Sequence, residues 1–103
     1  MVKAKIVEKY NKVNSFVIKG HANSGEYGHD LVCAAITGIV GGALNAFDIK
    51  FNENVNINVT ENEIKIEVIK EDELLDSLIN FMIIQLETIQ VQYPKNFKIE
   101  RMI

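Results

Sequence analysis

The sequence has one cysteine, one proline and no cluster of basic residues, and it contains no repeat, low-complexity run or linker. A single cysteine excludes an internal disulfide, and with no basic, apolar, cleavable leader at the N-terminus the pattern predicts a reducing, cytoplasmic setting. The missing basic stripe removes the electrostatic footprint of direct nucleic-acid binding. Without repeats or linkers, 103 residues of 48% apolar and 24% charged composition predict a single domain over residues 1–103 with one core. A domain of this size has little surface with which to enclose a deep pocket, which leaves room for a partner subunit to complete a site.

Charge is also absent from Leu31 to Phe47, a run at the low end of a bilayer-spanning length. Gly38, Gly41, Gly42, Thr37 and Asn45 interrupt it and Asp30 and Asp48 close it, so it reads as a buried helix of a soluble core, with no membrane partner. The formal charge of −3 is uneven: Glu53 to Ile103 carries most of the acids, and such a half would meet a basic partner more readily than an acidic one.

Two short runs rich in Ile, Val and Phe, Lys3 to Lys9 and Asn14 to Gly20, flank a turn at Tyr10-Asn11-Lys12-Val13 and predict a hairpin whose second strand delivers His21 at its end. From Asp30 the apolar period becomes helical through Leu31, Val32, Ile36, Val40 and Phe47. Asp30 is the candidate N-cap, which would put Cys33 in the first turn. Glycine inside a helix costs about 1 kcal/mol relative to alanine. The row Ala34, Gly38, Gly42, Ala46 therefore predicts close approach by another helix or strand. Val55, Ile57 and Val59 alternate with Asn, and Ile64, Ile66 and Val68 alternate with Glu and Lys, so pairing across Glu61-Asn62 sets Val59 opposite Ile64, Ile57 opposite Ile66 and Val55 opposite Val68. Glu71-Asp72-Glu73 starts a second helix that Pro94 stops. Its expected core stripe is Leu75, Leu78, Met82, Leu86, Ile89 and Tyr93, with Leu74, Phe81, Ile84 and Val91 under a second cover, one candidate being another subunit. Phe97 to Met102 closes the chain as a strand. The order β-β-α-β-β-α-β describes an α+β fold, two helices on a mainly antiparallel sheet.

One Cys and two His leave few ways to do chemistry. A thiol becomes a strong nucleophile only on losing its proton, which a helix start and a neighbouring imidazole both promote. His21 is the first candidate base for Cys33, and His29 would point from the helix start itself. First-turn backbone N–H groups, that of Cys33 included, would form an oxyanion hole. Ala22, Asn23, Ser24, Gly25, Glu26, Tyr27 and Gly28, between the two, form a small, glycine-containing gating loop. The plainer readings stand beside these. A lone cysteine on an apolar helix is ordinarily a small buried hydrophobe, Asp30 is a simple cap as readily as an orienting third residue, and His21 could be a surface strand residue. His21, His29 and Cys33 lack a fourth ligand and standard zinc spacing, so neither metal nor cofactor is expected.

Gly20-His21-Ala22 and the run Gly28-His29-Asp30-Leu31-Val32-Cys33-Ala34-Ala35-Ile36-Thr37, at this separation, closely resemble the bacterial ribosomal-processing cysteine protease family, called Prp. Chain length and element order agree with it from end to end. The resemblance implies that Cys33 is the nucleophile and His21 the general base, with Asp30 at the family's nearby acidic position. Thr37 stands where Ser is common and Leu31 where Ile is common. It further implies a homodimer that removes a short N-terminal extension, with paired Phe before a small residue, from the precursor of a large-subunit ribosomal protein, the twenty-seventh. The alternative from a different class is a noncatalytic ribosome-assembly or translation-associated binding protein, in which Cys33 is inert and buried.

Overall fold

The chain's first reversal is made by two consecutive residues with left-handed backbone, Tyr10 (φ 54°) and Asn11 (φ 65°). Two such residues give a turn whose twist matches that of the flanking strands, so the hairpin is tighter than the four-residue turn expected from sequence. Strand β1 runs Val2–Lys9 and β2 Lys12–Lys19, with Lys9 paired to Lys12. The computed structural model describes residues 1–20 and 27–102, and of 27–30 the backbone alone. Helix α1 (Tyr27–Lys50), β3 (Val55–Val59), β4 (Glu63–Val68), α2 (Glu73–Gln92) and β5 (Phe97–Met102) follow, the order the sequence predicts.

The strands form a five-stranded sheet in the order β3-β4-β2-β1-β5. Pairings β1–β2, β2–β4 and β3–β4 are antiparallel, while β5 runs parallel to β1, with Val2 opposite Phe97. The β3–β4 register is the expected one, Val59 to Ile64, Ile57 to Ile66 and Val55 to Val68. A bulge at Val7/Glu8 leaves Asn14 unpaired, and the freed N–H of Val13 donates to Oδ1 of Asp76 on α2 at 2.8 Å. Asp76 also accepts from Asn80, so this carboxylate ties α2 to the irregular point of the sheet.

Both helices cover one sheet face. Val32, Ile36, Val40 and Phe47 of α1 and Leu75, Ile79, Met82, Ile83 and Leu86 of α2 meet Ala4, Ile6, Phe16, Ile66 and Phe97 from the strands, all buried. Asp72 caps α2 through its carboxylate, which accepts from the Leu75 N–H at 2.9 Å, and Tyr93 ends it just before Pro94. The buried stripe of α2 differs from the expected one. Ile79 and Ile83 lie in the core, whereas Leu78 is 39% exposed. The helix is apolar nearly all round, so spacing alone leaves its rotation open by one residue. By length and composition Leu31–Lys50 and Glu73–Gln92 could each cross a membrane, yet here each lays one face on the sheet.

The small-residue row on α1 also behaves differently within the protomer. A Cβ built at Gly38, Gly41 or Gly42 would meet nothing within 4 Å. The row instead forms one wall of an open groove between α1 and α2, with Leu78 and Phe81 opposite. Among the described residues nothing supplies the second cover expected over α2: Leu74, Phe81, Ile84 and Val91 are exposed.

Candidate active site

Gly20 ends β2 with φ 106°, a backbone conformation that L side chains rarely adopt. A Cβ there would lie 2.6 Å from the Met1 carbonyl oxygen, so glycine is required on both counts. The chain leaves the sheet here, and Gly20 forms part of the wall of a cleft that also contains Cys33.

That cleft, about 180 Å³, lies between the N-terminal half of α1 and the β3–β4 turn. Its apolar surface comes from Val2, Ile18, Ile36, Val40 and Ile64, and its rim from Thr37 and the turn Thr60 to Glu63. The volume is below the roughly 300–1,000 Å³ of pockets that engulf a small molecule, and suits part of an extended ligand, a side chain at a time. Glu63 is in contact range of Lys19 at 4.0 Å, an exposed pair of little energetic weight.

Cys33 is half-buried, free and packed against the core on one side while it lines the cleft on the other. The deep burial that the noncatalytic alternative requires is not observed. Thr37, one turn on, shares its face of α1 and stands exposed on the cleft.

Helix α1 begins at Tyr27, which corrects three expectations. Asp30 is inside the helix and not its N-cap. Tyr27 and Gly28 belong to the first helical turn, not to a loop. Cys33 lies in the second turn, where its N–H is engaged by the helical ladder, so the N–H groups without an i−4 partner among the described residues at this end are those of Tyr27, Gly28 and His29. The dipole effect fades beyond the first turn, so the helix start bears less on Cys33 than the sequence predicts. His21 and the remaining loop residues, Ala22, Asn23, Ser24, Gly25 and Glu26, lie outside the described residues. So do the side chains of Tyr27, His29 and Asp30.

Sequence reasoning missed the opposite wall of the cleft. In the sequence Val59 to Ile64 is the end of a hairpin that turns at Glu61-Asn62, and nothing in its alternation says that it faces Cys33. The available clue was topological: α1 runs back antiparallel to β3, so the start of the helix and the end of the strand share one end of the molecule.

The family model described as cysteine protease Prp matches residues 1–98. A ribosomal processing cysteine protease Prp from Bacillus subtilis (strain 168) is 33% identical over 110 residues, covering 96% of each chain. The crystal structure of an essential ribosomal processing protease Prp from Staphylococcus aureus in complex with a substrate peptide superposes with a TM-score of 0.89 at 27% identity. It covers 98% of this chain and 99% of that one. The same protein in complex with a covalently linked product peptide gives a TM-score of 0.87 at 28% identity, with the same coverage.

Proposed function

The chain belongs to the Prp family of ribosomal processing cysteine proteases, and from that premise we propose that Cys33 is its nucleophile and His21 its general base. The observation that carries this reading is the cleft itself, where the only cysteine of the sequence is half-exposed beside Gly20, the residue immediately before His21. The Cys33 thiolate attacks the scissile carbonyl carbon, forming a C–S bond as the carbonyl electrons move to oxygen. His21, having taken the thiol proton, returns it to the leaving amine as the C–N bond breaks. Water then cleaves the thioester and regenerates the thiol. Asp30, no longer a cap, is assigned an orienting role toward the histidine, and residues 22–26 the role of a gate.

The substrate is the precursor of the twenty-seventh large-subunit ribosomal protein, from which a short N-terminal extension is removed. An acidic second half suits a basic ribosomal protein, and the small apolar cleft suits side chains of an extended peptide. Residues 1–103 act as one cytoplasmic domain that needs no cofactor, membrane or direct nucleic-acid contact. It works as a homodimer, a state supported by the open α1–α2 groove with Phe81 62% exposed on its wall. Sedimentation equilibrium that returns a monomer at assay concentration removes the dimer.

The direct test incubates the protein with a synthetic peptide spanning such an extension. Cys33→Ala abolishes cleavage, and His21→Ala slows both cleavage and alkylation of Cys33 near neutral pH. Cleavage by Cys33→Ala at the parent rate overturns the mechanism, and an unchanged alkylation rate removes His21 as the activating base.

A further inference from the structure

The hydrogen-bond phase of β3 follows from its turn. The Thr60 N–H donates to the Glu63 carbonyl at 2.8 Å, and at the other end the Asn54 carbonyl accepts from the Ile69 N–H at 2.8 Å. In a strand the N–H and C=O of one residue point to the same side and alternate residue by residue. The backbone groups of Asn54, Asn56, Asn58 and Thr60 therefore face β4, and those of Val55, Ile57 and Val59 face outward. Val55 spends its N–H on the Phe51 carbonyl. Ile57 and Val59 each keep an outward donor and acceptor, and β3 is the edge of the sheet. No side chain among the described residues bonds to this edge.

Position gives the edge a use. Val59, its last residue, is 59% exposed and, with Thr60, lines the Cys33 cleft. A chain paired along Ile57 and Val59 would run toward the end of β3 that lines the cleft. We propose that an extended peptide docks here as a sixth strand, with Ile57 and Val59 donating from N–H to its carbonyls and accepting at C=O from its amides. This rests on the reading of the cleft as a protease site. Main-chain pairing supplies affinity whatever the sequence, while selectivity falls on alternate peptide side chains, those on the helix side of the sheet. The other set lies beside Asn56 and Asn58, which are exposed and polar.

The experiment uses the isotope-labelled Cys33→Ala chain, which retains the peptide uncut, and a synthetic peptide with two Phe before a small residue. Amide hydrogen exchange at Ile57 and Val59 slows at least tenfold on saturation, while Asn56 and Asn58, already bonded to β4, change little. N-methylating the peptide at the amides that meet the edge weakens binding at least tenfold. Val59→Pro, which deletes an outward N–H and no ladder bond, weakens it similarly, and the same substitution in the chain that keeps Cys33 leaves iodoacetamide labelling of that thiol unchanged. Edge amides that stay fast at saturating peptide overturn the proposal. So does protection that grows with protein concentration without peptide, because a second copy then occupies the edge. Cleavage by the unmodified chain is scored separately. Cleavage with silent edge amides rejects the edge alone, whereas protected amides without cleavage reject the protease reading and keep the edge as a peptide site.

Discussion

The two edges of this sheet are finished in opposite ways. At β5 the outward N–H of Ile99 is taken by the side-chain oxygen of Gln90, which reaches over from α2. Beside it Arg101 pairs with Glu8 at 3.0 Å and with Glu87 at 3.6 Å, fastening the strand to β1 and to α2. At β3 the outward groups of Ile57 and Val59 meet no described side chain, and the strand carries neither lysine nor proline nor bulge. Unpaired edges invite association, and proteins ordinarily blunt them. Among the described residues the two edges thus differ in kind: β5 is tied to its neighbours by side chains, and β3, whose end lines the same cleft as Cys33, is not.

The contrast breaks most visibly with proline. Asn58→Pro removes an N–H that belongs to the β3–β4 ladder and orphans a carbonyl, with an expected cost on the order of 2–4 kcal/mol. Val59→Pro, one residue away, removes an N–H that faces outward and costs less than about 1 kcal/mol. Urea denaturation of the two variants checks the difference, and equal midpoints mean that the phase assigned to β3 is wrong. Gln90→Leu unseals the other edge. Loss of the acceptor for Ile99 destabilises by about 1–2 kcal/mol and should add concentration-dependent scattering as β5 becomes available. Smallest is Arg101→Met, where loss of an exposed two-partner ion pair costs about 0.5–1 kcal/mol and the cost shrinks in high salt. A salt-independent loss there implicates packing of the arginine stem instead.

Legibility in the sequence followed the strength of local constraint. The β3–β4 register could be read residue by residue because Val55 to Val68 alternates strictly about a two-residue turn, and a slip of one would turn Ile57 and Ile66 to water. The order of elements and the α+β class were equally plain. The sequence places the start of α1 four residues late, since Asp30 is a good cap type and Tyr27-Gly28-His29 carries no apolar period to announce a helix. On α2 the expected stripe holds at Leu75, Met82 and Leu86 and fails at Leu78, whose place in the core is taken by Ile79 and Ile83, because the residues around the helix are similarly apolar. The small-residue row signals close approach, but a Cβ at Gly38 or Gly42 would look onto open space. At the site, Cys33 stood out by rarity. The turn opposite it did not, because only tertiary folding brings Thr60 to Glu63 within reach of α1.

The parallel pairing of β1 with β5 has a consequence for how the protein is born. Val2, Ala4 and Ile6 are made well before Phe97 to Met102, yet one flank of their strand is sealed only by that later segment. Pairing so remote in sequence is slow to form, because the loop entropy of nearly the whole chain is lost before any contact offsets it. While the chain is being synthesised β1 has β2 but no second neighbour, and Phe97, wholly buried in the finished protein, has yet to fill its place in the core. The sheet is therefore complete only once β5 has emerged and paired, and until then β1 keeps one flank open.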